Sequence, residues 1–313
     1  MSSHARPHRT LPLLLLATLL CPLSATGQDR VDVPYVDGGG PKQRLDVYLP
    51  RSPATPAPLV LLVHGGSLRS GDRKDTPWPA EVCPAFVGEG FACAATSYRL
   101  FPDVAWPEPA RDVAAAFAWL HRNAGSLAVD PNRIVLVGHS SGCLLATLVA
   151  SDARHLGAHG LEPADIFGVV AIGCRLGQEM PDTSGVPAER IAQAFAPGGR
   201  FEHFSDPENL SSYFPLAFVG AHLPPFLALI AEGERFKPPI LEDAAEYVGL
   251  ARDCRVDADL SILRERNHMT AVERMTSRDD PTFRLIVAFV DRLAEQGPAT
   301  DLADPDRCPT PVR

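Results

Sequence analysis

The feature that most constrains this chain is a glycine-flanked serine between a strand and a helix. The run Gly138-His139-Ser140-Ser141-Gly142 directly follows the apolar segment Ile134–Val137 and directly precedes a helix predicted at Ser141–Ser151. A strand that turns sharply into a helix needs glycines where a Cβ atom has no room. The turn exposes the serine hydroxyl, and the N–H groups of the helix N-terminus point toward it. The pattern therefore predicts that Ser140 is a nucleophile; the alternative is that Ser140 only caps the helix.

Short apolar runs alternate with longer helix-like stretches along the chain. The periodicity predicts strands at residues 31–35, 44–49, 59–63, 91–96, 134–137, 167–172, 226–231 and 259–263, and helices at 110–123, 141–151, 241–251 and 281–294. Strands that alternate with helices are typical of an α/β fold with a mainly parallel, doubly wound sheet. We expect one such domain at residues 28–296, with a cap-like insertion at about 175–219 over the carboxyl edge of the sheet and a flexible tail at 297–313.

The first 27 residues have the layout of a secretory signal peptide. Arg6, His8 and Arg9 precede the apolar run Leu11–Leu20, and small residues follow up to residue 27. This run is too short for a membrane span, which needs roughly 20 apolar residues. We therefore predict a cleaved signal and a secreted or periplasmic protein, the alternative being a basic leader that stays in the cytoplasm.

Export would place the remaining six cysteines in an oxidising compartment. Six cysteines can pair in about 15 ways, and the sequence does not choose between them. No Cys or His cluster has zinc-binding spacing, and His155 and His159 are interpreted as loop residues because Gly157 and Gly160 interrupt a helix there. We expect neither a metal nor a cofactor.

The charge of the chain excludes some classes of partner. The net charge is −9 and becomes −11 once Arg6 and Arg9 leave with the signal, whereas nucleic acids and anionic membranes bind basic surfaces. A small molecule is the expected partner.

A second motif, His64-Gly65-Gly66-Ser67, follows the buried strand predicted at 59–63. A tetrahedral intermediate of acyl transfer needs two convergent N–H donors for its oxyanion. The N–H groups of Gly65 and Gly66, together with that of Ser141, are the predicted donors. An ordinary Gly-Gly turn is the alternative.

Seven segments together resemble the α/β-hydrolases, in particular the esterase branch of hormone-sensitive-lipase-like and bacterial feruloyl or acetylxylan esterase-like enzymes. They run in order over about residues 44–294: His64-Gly65-Gly66, Ser70-Gly71-Asp72-Arg73, Ser97-Tyr98-Arg99-Leu100, Trp106-Pro107, Asp112, Asp130-Pro131-Asn132-Arg133-Ile134 and Gly138-His139-Ser140-Ser141-Gly142. The resemblance implies an eight-stranded, mainly parallel sheet and cofactor-free hydrolysis of carboxylic esters. An amidase such as an arylformamidase, and an inactive hydrolase fold used for binding, are the alternatives.

The resemblance also implies that an acid and then a histidine follow the serine. His268 comes after the last predicted strand, and no histidine occurs later. At the acid position this chain has Glu234 where similar sequences have aspartate; Glu232 is the rival and Asp243 a more distant one. The expected mechanism is acyl transfer through Ser140 with His268 as base.

Two further features of the sequence are weaker signals. Asp72 and Arg73 are expected to brace the glycine loop rather than touch substrate. Six aromatic residues in or beside the predicted insertion are candidates to line a substrate pocket or to pack the insertion on the sheet: Phe195, Phe201, Phe204, Tyr213, Phe214 and Phe218.

Overall fold

The structure, a computed structural model, describes residues 28–51, 56–177, 187, 189–190, 193, 196, 213–235, 237–296 and 308. The predicted signal peptide, most of the predicted insertion including Phe195, Phe201 and Phe204, and the predicted tail apart from Cys308 lie outside these residues.

Eight strands form a single sheet in the described part of the chain. They are β1 (Gln28–Pro34), β2 (Arg44–Tyr48), β3 (Ala57–Val63), β4 (Ala92–Thr96), β5 (Val129–His139), β6 (Gly168–Ile172), β7 (Phe226–Gly233) and β8 (Ala258–Asn267). The order across the sheet is β1-β2-β4-β3-β5-β6-β7-β8. The pairs β1–β2 and β2–β4 are antiparallel and the other five are parallel. This confirms the predicted α/β class and the mainly parallel sheet.

Helices cover both faces of the sheet. They are α1 (Cys83–Gly88), α2 (Glu108–Asn123), α3 (Ser141–Ser151), α4 (Ala153–Gly157), α5 (Lys237–Asp253), α6 (Thr270–Glu273) and α7 (Pro281–Gln296). None of these helices is long and apolar enough to cross a membrane. Because side chains alternate along a strand, Leu61 of β3 packs in the core under α2, α3 and α5, whereas Leu62 packs in the core under α1 and α7.

Several predicted element boundaries and one predicted loop are wrong. The strand predicted at 134–137 is longer than expected: β5 starts at Val129 and bulges against β3 before regular pairing resumes at Ile134. The histidine pair also differs from the prediction: His155 lies in helix α4, because Asp152 caps this helix before Gly157 ends it, and the imidazole is buried beside Asp152.

Three disulfides join all six cysteines that follow the predicted signal peptide. Cys83–Cys93 links α1 to β4, Cys143–Cys174 links the first turn of α3 to the segment after β6, and Cys254–Cys308 links the end of α5 to the C-terminal segment.

Candidate active site

Ser140 lies on a strained turn between β5 and α3. Its backbone angles are φ 54° and ψ −125°, and its side chain makes no capping hydrogen bond to α3. A Cβ atom at Gly138 would lie 2.4 Å from the Gly142 oxygen, and one at Gly142 would lie 2.2 Å from the Val63 oxygen. Only glycine fits at these two positions, so the sequence pattern and the tight turn have the same cause. The Ser140 N–H donates to the Ile172 oxygen at 2.9 Å, which fixes the turn to the end of β6.

The predicted base and acid are in direct contact. His268 follows β8, Glu234 follows β7, and the His268 Nδ1 atom lies 2.9 Å from the Glu234 Oε2 atom. The Glu234 side chain is 1% exposed and that of His268 is 30% exposed, so the carboxylate is shielded while one side of the imidazole remains accessible. Since a carboxylate only accepts, Nδ1 carries the proton and Nε2 is left free to act as a base.

The two rival carboxylates make other contacts. Glu232 Oε2 accepts a hydrogen bond from the Glu265 N–H at 3.1 Å. Asp243 pairs with the Arg175 guanidinium and accepts from the Leu176 N–H at 3.1 Å. Of the three candidate acids, Glu234 is therefore the one found on the His268 imidazole.

Gly173 after β6 and His139 before Ser140 connect the Glu234–His268 pair to the serine turn. Gly173 directly follows the Ile172 that binds Ser140, and a Cβ atom at Gly173 would lie 3.2 Å from Glu234 Oε2 and 3.3 Å from His268 Nδ1. His139 Nε2 lies 2.8 Å from the His268 backbone oxygen, and the two imidazole rings are 4.6 Å apart. Burial lowers the pKa of His139 to about 3, so this residue is a neutral donor that holds the His268 loop.

The glycine loop after β3 packs against the nucleophile. A Cβ atom at Gly65 would lie 3.0 Å from the Ser140 Cβ atom, so the Gly65 backbone directly abuts the serine. Gly66 has φ 114°, and a Cβ atom there would lie 2.1 Å from the Ser70 oxygen. Of the predicted oxyanion donors, Gly65 thus abuts the serine from the loop after β3, Gly66 follows it in that loop, and Ser141 is the first residue of α3.

Asp72 and Arg73 brace this loop as expected. The buried Arg73 guanidinium binds Asp46 and the Ser97 hydroxyl, and Lys42 binds both Asp72 and the Gly71 oxygen. These contacts attach the segment after the glycine loop to β2 and to the end of β4.

The chain is similar in sequence and in fold to known esterases. Residues 45–162 match the BD-FAE family model. Esterase LipQ of Mycobacterium tuberculosis is 28% identical over 217 residues, which are 66% of this chain and 49% of LipQ. The chain thus spans about half the length of this relative.

Solved structures align over most of the chain. A truncated carbohydrate esterase from gut microbiota superposes with a TM-score of 0.70 at 18% identity, covering 87% of this chain and 98% of the other. Esterase B from Lactobacillus rhamnosis, in a complex with a tributyrin phosphonate inhibitor, gives a TM-score of 0.67 at 20% identity and 85% coverage of each chain. The chain has the α/β-hydrolase fold. The resemblance seen in the motifs is confirmed, since the similar proteins are named as esterases and the similar structures share the fold.

In this fold the three candidate residues come from the ends of three parallel strands: Ser140 from β5, Glu234 from β7 and His268 from β8. Carboxyl ends of parallel strands lie at one edge of a sheet, which is why these residues, far apart in the chain, are placed at the same edge. The described residues contain no group of three or more His, Cys, Asp or Glu side chains placed to hold a metal ion.

Sequence reasoning missed two residues of this site. His139 is the variable position of the serine motif, and its contact with His268 had no signal besides its place beside the nucleophile. Gly173 is a lone glycine after a strand, and a glycine there indicates a close backbone approach.

Three of the predicted pocket aromatics lie within the described residues. Tyr213 and Phe214 are buried, and the Tyr213 ring stacks on Trp106 with centroids 4.4 Å apart; Phe218 is buried in the core beneath α3. These three side chains are buried, as the packing alternative predicts.

Proposed function

We propose that the protein is a serine carboxylic-ester hydrolase that uses Ser140, His268 and Glu234 as its triad. The observation that carries the proposal is the 2.9 Å contact between the buried Glu234 carboxylate and His268, next to a serine on a strained strand–helix turn. A carboxylate fixes the tautomer of the imidazole and stabilises its protonated form, which lets the free Nε2 activate a serine. The similarity to LipQ and to esterase structures supports the same activity.

The reaction follows from this arrangement. His268 Nε2 takes the proton of Ser140 Oγ as this oxygen attacks the ester carbonyl carbon, and Glu234 stabilises the imidazolium. The Gly65, Gly66 and Ser141 N–H groups bind the oxyanion. The intermediate collapses as His268 protonates the departing alcohol, which leaves an acyl group on Ser140. Water, deprotonated by His268, then releases the carboxylic acid and regenerates the serine.

A fluorophosphonate probe tests the nucleophile. We expect wild type to be labelled, with the adduct on the peptide that contains Ser140, and S140A to be unlabelled. S126A is the matched control, because this exposed hydroxyl only donates to the Asn123 oxygen, and it should be labelled like wild type. An unlabelled, folded wild-type protein would instead favour a binding protein with an inactive hydrolase fold.

The bond that is cleaved is tested separately. Initial rates on phenyl acetate and on formanilide are compared for wild type and S140A. Ester turnover that disappears in S140A supports the proposal, whereas turnover of formanilide alone would make the protein an amidase of the arylformamidase type.

We also propose that the protein is exported and its first 27 residues removed. The support is the n-region and apolar run of residues 1–27 and the pairing of all six later cysteines in disulfides, which persist in oxidising compartments. When the full-length sequence is expressed in a secreting host, N-terminal sequencing should show that the exported protein begins near Gln28. A product that retains Met1 and stays in the cytoplasm would contradict export.

A further inference from the structure

A stacked tyrosine–histidine pair lies behind the glycine loop of the site. Tyr98, which follows β4, is fully buried, and its ring stacks on His64 with centroids 4.3 Å apart and planes 12° apart. The proposed mechanism gives neither side chain a role. Both side chains direct their donors at the loop backbone, which makes the pair the strongest unexplained polar feature near the site.

The Tyr98 hydroxyl and the His64 Nδ1 atom each donate to a peptide carbonyl. The N–H of each of these two peptides is a predicted oxyanion donor. The Tyr98 hydroxyl donates to the His64 oxygen at 2.9 Å, and the peptide with this oxygen carries the Gly65 N–H. The His64 Nδ1 atom donates to the Gly65 oxygen at 2.7 Å, and the peptide with that oxygen carries the Gly66 N–H. Both predicted donor peptides are therefore held at their carbonyl ends.

Ser141, whose N–H is the third predicted donor, contacts the same hydroxyl through its side chain. The Ser141 Oγ atom lies 3.5 Å from the Tyr98 hydroxyl, and since this hydroxyl donates to His64, it can accept from Ser141. A chain of hydrogen bonds then runs from Ser141 through Tyr98 to the His64 peptide. Such chains polarise their members, so an N–H becomes a better donor when the carbonyl of its own peptide accepts a hydrogen bond.

The surroundings of His64 fix its tautomer and its ring. Burial lowers the pKa of His64 to about 4, so the ring is neutral near neutral pH, and the carbonyl opposite Nδ1 requires the proton on Nδ1. A Cβ atom at Gly71 would lie 2.3 Å from Nδ1, so the Gly71 backbone packs against the ring and leaves it no space to turn.

We infer that Tyr98 and His64 are positioning residues that orient the peptides of the oxyanion site toward Ser140. The inference rests on the proposed esterase function. An oxyanion donor stabilises the transition state only if it points at the place where the charge develops. Loss of the Tyr98 hydroxyl should therefore slow acylation while substrate binding is retained.

The test compares Y98F with Y247F. Tyr247 is an equally buried tyrosine whose hydroxyl binds Ser151, away from the glycine loop, so both substitutions remove one buried hydroxyl. With p-nitrophenyl acetate we expect Y98F to lose about tenfold in kcat, with KM within about twofold of wild type, since the strength of one hydrogen bond corresponds to roughly this factor. Y247F should keep the wild-type kcat, while the melting temperature falls in both variants.

A second measurement reports the oxyanion site directly. Phosphonylation of Ser140 by a p-nitrophenyl alkylphosphonate also develops charge on an oxygen in that site, so its rate constant should fall by the same factor as kcat in Y98F. If Y98F and Y247F lose kcat equally, or if Y98F keeps the wild-type rate of phosphonylation, the pair has only a structural role and the inference is wrong.

Two further controls keep the outcomes separable. If Y98F fails to fold, H64N and H64L take its place: the Asn amide can occupy the position of Nδ1 and Leu cannot, so kcat should fall further in H64L, and equal kcat values would overturn the inference. Failure of the proposed function has a different signature, since wild type would then show no turnover that S140A abolishes.

Discussion

Replacement of Glu234 by glutamine tests the least expected residue of the proposed triad. In E234Q the side chain keeps its size and its position 2.9 Å from His268 Nδ1, but the negative charge is lost. During catalysis His268 becomes positively charged, and its charge centre lies about 4 Å from that of the carboxylate. At an effective dielectric constant of about 20, this attraction is about 4 kcal/mol, which corresponds to about three orders of magnitude in rate.

The amide adds a second penalty. A glutamine N–H that faces Nδ1 favours the tautomer with the proton on Nε2, which then cannot take the proton of Ser140, and a change of this kind costs about 10⁴-fold in a serine protease triad. We therefore expect kcat of E234Q on p-nitrophenyl acetate to fall by about 10³- to 10⁴-fold.

Glu232 provides the matched control. It is two residues away, exposed, and bound to the Glu265 N–H rather than to His268, so E232Q should keep kcat within about twofold. Near-ultraviolet circular dichroism checks that both variants are folded. If E234Q stays within tenfold of wild type, or if E232Q suffers the larger loss, the acid has been assigned wrongly although the enzyme hypothesis survives.

Three further predictions concern stability and the glycine loop. His64 and His139 are held neutral in the fold, with pKa values lowered by burial to about 4 and about 3, and regain an ordinary pKa near 6.5 when unfolded. Protons therefore bind the unfolded state more strongly below pH 6.5, and the free energy of unfolding from urea titrations should fall by about 2 kcal/mol per histidine between pH 7.5 and 5. Removal of the disulfide in C143A/C174A, which closes a loop with a sequence separation of 31, should lower the same free energy by about 3–4 kcal/mol. G66A should lose most of kcat, because φ 114° and the Ser70 oxygen at 2.1 Å leave no room for a Cβ atom.

Each of these predictions has its own control. H139N should lessen the pH-dependent fall by about 2 kcal/mol, and a free energy of unfolding that is flat between pH 7.5 and 5 would show that the histidines are not held neutral. For the disulfide, a free energy of unfolding equal to that of wild type would contradict the loop-entropy argument. G88A is the control for the glycine loop, since no atom lies within 4 Å of its Cβ position. Equal kcat values in G88A and G66A would refute the steric argument.

The parts of the site with local causes were predictable from the sequence. The serine turn needs Gly138 and Gly142 whatever surrounds it, and its place between an apolar strand and a helix identified Ser140. Glu234 was the residue predicted at the acid position, and the structure places its carboxylate on His268 Nδ1. The alternation of strands and helices likewise yielded the α/β class.

The parts that depend on contacts between distant segments were not predictable. Cysteine pairing depends on which residues become neighbours, so Cys143 and Cys174 gave no signal of their link. Tyr98 was noted only as part of a motif, because its role depends on the stacking of its ring beneath His64, which the topology of β3 and β4 creates. The end of β8 at Asn267 and the bulge in β5 likewise depend on their neighbours in the sheet.

The position of His268 after the last strand has a consequence for biosynthesis. The proposed nucleophile, acid and base emerge from the ribosome in that order, and the base directly follows β8, which pairs only with β7 and forms an edge of the described sheet. The proposed triad therefore cannot assemble before nearly the whole sheet exists. If the proposed function is correct, a nascent chain has no ester turnover until then, and the onset of turnover during in vitro translation would time the completion of the sheet.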